Sequence, residues 1–165
     1  METKFTPWRM TYIKRGEGPG EGGCVFCAMA VADHSRDVDN LVLYRGTSCL
    51  VVMNLYPYNT AHLMVVPYTH TADLPGLDDT TAGEIFALTR HCVRILSETY
   101  QAHGFNLGMN LGSIAGAGIA EHLHMHIVPR WIGDTNFMPI VGGTKLIPED
   151  LDTTYDQLKP GFAKL

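Results

Sequence analysis

Three histidines occupy alternate positions in Glu121-His122-Leu123-His124-Met125-His126-Ile127-Val128-Pro129-Arg130. If this segment is extended, successive side chains point to opposite faces, so His122, His124 and His126 share one side and Leu123, Met125 and Ile127 the other. One face is then core and the other imidazole. A neutral imidazole offers one nitrogen lone pair for nucleophilic attack or metal ligation while its second nitrogen keeps a proton. One metal ion cannot use all three rings. Same-face neighbours lie ~6.6–6.8 Å apart and the outer pair about 13 Å apart, against zinc–nitrogen bonds of ~2.0–2.1 Å. At least one imidazole is therefore left for other chemistry. The plain alternative is a solvated strand face, which leaves the strict alternation of an uncommon residue as coincidence.

The segment Asn110-Leu111-Gly112-Ser113-Ile114-Ala115-Gly116-Ala117-Gly118-Ile119 leads into this strand. Closely spaced glycines let backbone N–H groups converge into an anion-binding concavity, although the same composition also makes an ordinary turn. Beside co-facial histidines, and with no obvious magnesium-binding carboxylate cluster, the loop points to phosphoryl or nucleotidyl transfer through a covalent phospho-histidine. Cys24 and Cys27 form a C-x-x-C pair, which points to metal binding or redox chemistry rather than to a structural disulfide in a reduced compartment. Trp131 follows the histidine strand directly, where an aromatic ring can stack on a nucleobase or serve packing.

The elements that must position these residues are legible from composition and period. The chain has 165 residues, 45% of them apolar and 18% charged, the make-up of one soluble globular domain. Twelve basic against seventeen acidic residues give a net charge of -5, with no basic run, which argues against general nucleic-acid or anionic-membrane binding. No apolar stretch approaches the ~20 residues of a membrane helix, and the start lacks a signal-peptide core, so a cytoplasmic location is expected. Residues 1–23 read as an N-terminal arm ending in a glycine-rich linker, GEGPGEGG. A short helix is expected over 24–32, then strands over 41–45 and 48–54 joined at Gly46-Thr47, and a third strand over 62–67. Thr81 with Glu84 reads as a capping box opening one long helix over 79–102, with Ile85, Leu88, Cys92, Ile95 and Leu96 on its apolar face. Strands over 105–111 and 122–130 follow. Residues 131–165 read as a loop-like tail, broken at Pro139, Pro148 and Pro160. The expected class is α+β: about five antiparallel strands with one long and one short helix. Cys49 and Cys92 read as core, His34, His91 and His103 as solvent-facing, and His62 as a turn residue without evident chemistry.

With these residues in place the sequence resembles the histidine triad (HIT) family, whose hallmark is His-x-His-x-His followed by apolar residues and preceded by a glycine-rich phosphate loop. The similarity runs over nearly the whole chain. Cys24 and Cys27, Asn54 with Pro57 and Asn59, HLMVVP followed by His70, the Asp-rich helix start and Asn110 come in the family's order. PWRMTYI at 7–13, NLYPYN at 54–59 and PRWIGDTNFMP at 129–139 look more narrowly like a bacterial branch that includes diadenosine tetraphosphate phosphorylases.

The resemblance implies a HIT-like fold and cleavage of a dinucleoside polyphosphate through a nucleotidyl-histidine. His124 would be the nucleophile on the α-phosphorus and His126 the hydrogen-bond partner of the phosphate or leaving group. His122 completes the catalytic triad, and Asn110 would contact the phosphate or leaving-group side. Backbone groups of Gly116, Ala117 and Gly118 would hold non-bridging oxygens, with Asn54 at the ribose hydroxyls and Asn59 and Trp131 also in the nucleotide site. It further implies a structural zinc on Cys24, Cys27, His70 and His122, no organic cofactor, an adenine nucleotide as substrate, and a homodimer whose C-terminal tail from Asp134 onward reaches the partner's pocket. Many family hydrolases carry Gln followed by Ser or Thr where Ala117 and Gly118 stand here. That departure weighs against phosphoramidate or diadenosine triphosphate hydrolysis and leaves space for an acceptor phosphate. Alternatives that stay open are a phosphoramidate or mononucleotide hydrolase of the same family, and a non-catalytic, zinc-stabilised nucleotide-binding protein.

Overall fold

The alternating and continuous apolar runs of the sequence become one antiparallel sheet. A computed structural model describes residues 23–144 and 146–165; the expected arm and linker lie outside the described residues, apart from Gly23. The strands are β1 (Val42–Arg45), β2 (Cys49–Met53), β3 (Leu63–Pro67), β4 (Gly104–Gly108) and β5 (Met125–Arg130), in the sheet order β1-β2-β3-β5-β4. The helices are α1 (Val25–Val31), α2 (Asp79–Tyr100), the single turn α3 (Met138–Val141) and α4 (Leu151–Phe162). The α+β class with five antiparallel strands is as expected. β2 and β3 are buried at every position, as continuous apolar runs of this length require. Cys49 and Cys92 lie in the core with them, and burial pushes the Cys49 thiol up to about 12.

Glu84 does a different job from the one its spacing predicts. The N-cap of α2 is Asp78, whose carboxylate accepts from Thr81 N at 2.9 Å. The Glu84 carboxylate instead accepts from the backbone of Thr47 (2.8 Å) and Ser48 (2.5 Å), fastening the β1–β2 turn to the helix. Gly46 permits that approach: a Cβ there would stand 2.4 Å from Glu84 Oε1.

The C-terminal tail is not loop-like. Residues 151–162 form α4, capped by Asp150, which accepts from Thr153 N at 2.8 Å. Tyr155, Leu158 and Phe162 recur at helical spacing and are buried, and the Tyr155 hydroxyl donates to Val42 O at 2.9 Å. Pro160 sits in the last turn and removes one i→i−4 donor, a loss that the packing of Leu158 and Phe162 offsets. Two strand boundaries also differ from expectation. β4 stops at Gly108 and β5 starts at Met125, because His122 and His124 leave the ladder: Leu123 N bonds Thr71 O at 2.8 Å and His124 bonds the carbonyl of His122.

Candidate active site and metal cluster

Hydrogen-bond donors that cannot change role fix the protons of the histidine cluster. Tyr58 N is a backbone donor and gives its hydrogen to His62 Nδ1 at 3.1 Å, with Asn54 Nδ2 at 3.3 Å from the same nitrogen. His62 is therefore neutral, with its proton on Nε2, which donates to His126 Nδ1 at 2.9 Å. His126 in turn carries its proton on Nε2. That atom is buried and without a hydrogen-bond partner among the described residues. Burial, then the neighbouring His124, push the His126 pKa down to about 4, so the ring stays neutral. An N–H held neutral, buried and unpartnered is a donor awaiting an acceptor.

His124 is set with the opposite polarity. Its Nδ1 donates to the His122 carbonyl at 2.8 Å, which leaves the Nε2 lone pair outward. The His124 and His126 rings meet edge-on with centroids 4.7 Å apart, and Phe26 of α1 packs on His124 at 5.2 Å and His122 at 5.4 Å. An available nitrogen lone pair thus stands beside a neutral donor, an arrangement chemically suited to attack on phosphorus with expulsion of an oxyanion.

The first histidine of the triad faces away from the other two, towards the cysteines. His122 Nε2 donates to Pro67 O at 2.8 Å, so its Nδ1 keeps a lone pair. That Nδ1 lies 3.3 Å from Cys24 Sγ, 3.6 Å from Cys27 Sγ and 3.2 Å from His70 Nδ1, and Cys27 Sγ is 3.3 Å from His70 Nδ1. The four ligand atoms lie within 4.8 Å of one another. Tetrahedral zinc with bonds of ~2.3 Å to sulfur and ~2.0–2.1 Å to nitrogen has ligand–ligand edges of about 3.3–3.8 Å. The donor set fits. The Pro67 carbonyl supplies the outer hydrogen bond that a ligating histidine ordinarily makes. Burial, then the adjacent Cys24, raise the Cys27 thiol, a cost that a bound cation relieves.

The other expected residues fall as follows. Asn54 is half-buried, its Oδ1 accepting from Tyr56 N at 2.9 Å while its Nδ2 faces His62 Nδ1 at 3.3 Å. Asn59 is buried and donates to Pro129 O (3.0 Å) and Asp134 Oδ2 (2.9 Å). Asn110 is half-buried at the head of the glycine loop. In that loop Gly116 N bonds Ser113 O at 3.0 Å and Ala117 N makes a long 3.4 Å contact to Gly112 O. Two of the expected cradle amides therefore turn inward, and Gly118 is exposed. Trp131 donates its indole N–H to Tyr100 O at 3.0 Å and stands edge-on to the Tyr100 ring. His91 and His103 both have partners, Arg94 and Ile132 N. The residue that sequence reasoning missed is His62. Its signal lay in strand register: Met64 pairs with His126, so His62, two residues earlier, shares that face and lies diagonal to His126.

The family profile described as "HIT domain" matches residues 35–131, more than half of the chain. The chain belongs to the HIT family. Within it, the chain is 40% identical over 167 aligned positions to the AP-4-A phosphorylase of Mycobacterium tuberculosis, covering 99% of this chain and 86% of that one. Among solved HIT structures, a zinc-bound histidine triad family protein from Mycobacterium smegmatis superposes with a TM-score of 0.69 at 27% identity, over 88% of this chain and 96% of the other. A hypothetical histidine triad nucleotide-binding protein from Sulfolobus tokodaii shares the fold with a TM-score of 0.67 at 24% identity, covering 86% of this chain and 93% of the other. Among the described residues no helix is long and apolar enough to cross a membrane.

Proposed function

We propose that this HIT protein cleaves dinucleoside polyphosphates of the diadenosine tetraphosphate kind by double displacement through His124. The observation that carries the reading is the opposed polarity of two neighbouring imidazoles: His124 anchored through Nδ1 to the His122 carbonyl, His126 presenting an unpartnered Nε2–H. In the first step the Nε2 lone pair of His124 attacks the α-phosphorus. The α-phosphorus–oxygen bond to the next phosphate breaks, and its electron pair leaves on the bridging oxygen, which accepts a hydrogen bond from His126 Nε2–H. In the second step inorganic phosphate attacks the nucleotidyl-imidazole, the phosphorus–nitrogen bond breaks, and the pair returns to His124 Nε2. Diadenosine tetraphosphate then yields ATP and ADP. The 40% identity to a protein named AP-4-A phosphorylase supports phosphate over water as acceptor.

Around this pair, Asn110 and the exposed Gly118 end of the glycine loop would border the non-bridging oxygens, with Gly116 and Ala117 joining if the long Ala117–Gly112 contact opens. Asn54 and Asn59 act through the residues they hold, His62 and Asp134, and Trp131 frames the end of β5. Cys24, Cys27, His70 and His122 would hold zinc as a closed structural set, supported by the fit of their ligand atoms and by the zinc-bound relative. Bound there, such an ion would tie α1 to the His122 peptide through Cys24, Cys27 and His122. A homodimer is supported by the sheet edge at β4, whose outer residue Leu107 is exposed, and by exposed Phe86 on α2.

The test is chromatography of products from diadenosine tetraphosphate with and without inorganic phosphate, run beside His124→Ala. ADP with ATP appearing only with phosphate, and neither from the variant, is the expected result. AMP regardless of phosphate makes the protein a hydrolase, and unchanged turnover by His124→Ala refutes the mechanism.

A further inference from the structure

Beyond the histidines, the same face of the sheet continues into a groove of about 320 Å³ lined by Tyr58, Asn106, Val128, Arg130 and Thr135. In the β4–β5 ladder Gly108 lies opposite His126, Asn106 opposite Val128 and Gly104 opposite Arg130. All six positions point to one face, and strand rise puts Val128 about 7 Å and Arg130 about 13 Å from His126. Gly108 leaves the passage from His126 into the groove open, since a Cβ there would meet no atom within 4 Å. The ring of Tyr58, centred 5.6 Å from that of His126, walls the junction.

The groove is built to donate. The Asp134 carboxylate accepts at Oδ2 from Arg130 Nε (2.6 Å), Asn59 Nδ2 (2.9 Å) and Trp131 N (3.1 Å) and at Oδ1 from Arg130 Nη2 (2.8 Å), which fixes the guanidinium plane. Arg130 Nη1 also donates to Asn106 Oδ1 at 2.9 Å. Because arginine only donates, this bond orients the Asn106 amide with both Nδ2 hydrogens away from Arg130. The Arg130 side chain remains 43% exposed, with one hydrogen on each terminal nitrogen uncommitted. A rigid fork, an oriented amide and the Thr135 hydroxyl along one groove suit phosphate oxygens.

We infer that this groove is the subsite for the departing polyphosphate and, in the second step, for the acceptor phosphate, with Arg130 and Asn106 as its anion-binding residues. The inference rests on the double displacement proposed above. In-line transfer at phosphorus sends the leaving oxygen out opposite His124 and brings the acceptor in along the same line, so one subsite serves both. His126 stands at its mouth.

The experiment compares diadenosine tetraphosphate with the p-nitrophenyl ester of AMP, whose leaving group carries no phosphate, in the wild type, Asn106→Asp and Arg130→Gln. Asn106→Asp keeps an oxygen for Arg130 while placing a negative charge in the groove, so it reads binding even if Arg130→Gln loosens the Asp134 loop. The expected result is at least a tenfold loss of kcat/KM for diadenosine tetraphosphate and at least a tenfold rise in the phosphate concentration for half-maximal ADP formation. The kcat/KM for nitrophenolate release, which reports the first step alone, should stay within about twofold. Equal losses on both substrates, or no loss on either, overturn the subsite alone. A wild type that releases nitrophenolate but splits no dinucleoside polyphosphate overturns the proposed function and the subsite with it.

Discussion

Replacing His62 with phenylalanine removes the donor that fixes the proton of His126. The ring volume is nearly kept, but the 2.9 Å bond to His126 Nδ1 and the acceptor for Tyr58 N are both lost. His126 Nδ1 is then a buried acceptor without a partner, worth about 1–3 kcal/mol of stability. The larger effect is on chemistry. With nothing holding the proton on Nε2, His126 populates the other tautomer and presents a lone pair where the leaving oxygen needs a donor. Loss of one preorganised donor to a developing oxyanion costs about 100- to 1000-fold in kcat. The assay is kcat on diadenosine tetraphosphate, read beside nitrogen-15 spectra of the imidazoles. The wild type should show His126 protonated on Nε2, and His62→Phe a mixture of tautomers. His62→Gln can still donate from its amide and should recover activity to within about tenfold of the wild type. A folded His62→Phe protein with kcat within threefold of wild type, or a wild-type His126 protonated on Nδ1, refutes the relay.

Three further outcomes are expected. Stripping metal with a chelator, or replacing Cys27 with serine, should lower the thermal midpoint and reduce activity only in step with unfolding, checked by circular dichroism beside turnover; loss of activity in a fully folded protein would instead assign the ion to catalysis. The folded His126 pKa, near 4, lies below its ordinary 6.5. The unfolded chain therefore binds the proton first, and His126's contribution is intact above about pH 6.5 and falls away towards pH 4, by up to about 3 kcal/mol; urea unfolding at pH 7.5 and 5 should show a smaller difference in His126→Gln. Gly161→Ala would put a Cβ 2.7 Å from Ile95 Cγ2 where α4 crosses α2, and should cost about 1–3 kcal/mol by denaturant unfolding without changing KM.

The features legible in the sequence are those whose signal is local or rests on a short motif. The three-strand meander was readable from apolar runs and turn residues, and the apolar stripe of α2 from its period. The triad and the C-x-x-C pair are readable as motifs, the resemblance to the HIT family adds His70 and His122 to that pair, and the structure brings those four together. Features that depend on pairing between distant segments were not readable in the same way. His62 acquires its role only once β3 lies against β5. Glu84 sits where a capping box would use it, yet the bare amides of Thr47 and Ser48, on a separate turn, compete for its carboxylate while Asp78 takes the cap. α4 was hidden by Pro160, whose cost depends on its place in the last turn and on what Leu158 and Phe162 bury. The histidine strand is shorter than its alternation suggests, because His122 turns aside to the cysteines.

That turn makes His122 the joint of the molecule. Its Nδ1 faces the cluster, its Nε2 is held by the end of β3 through Pro67 O, and its carbonyl holds the Nδ1 of His124. A metal on the first nitrogen would fix the peptide whose oxygen sets the tautomer of His124, so the proposed ion and the proposed nucleophile would be separated by a single residue. No acceptor other than that carbonyl is needed to hold the proton on His124 Nδ1 and so leave Nε2 free. The same economy explains why two histidines of one triad carry opposite protonation: His124 takes its orientation from a carbonyl acceptor, His126 from an imidazole donor. The alternation in sequence makes three equivalent residues; their different second partners, the His122 carbonyl, His62 and Pro67, divide them by where the proton sits, which is what the proposed roles of nucleophile, donor and anchor require.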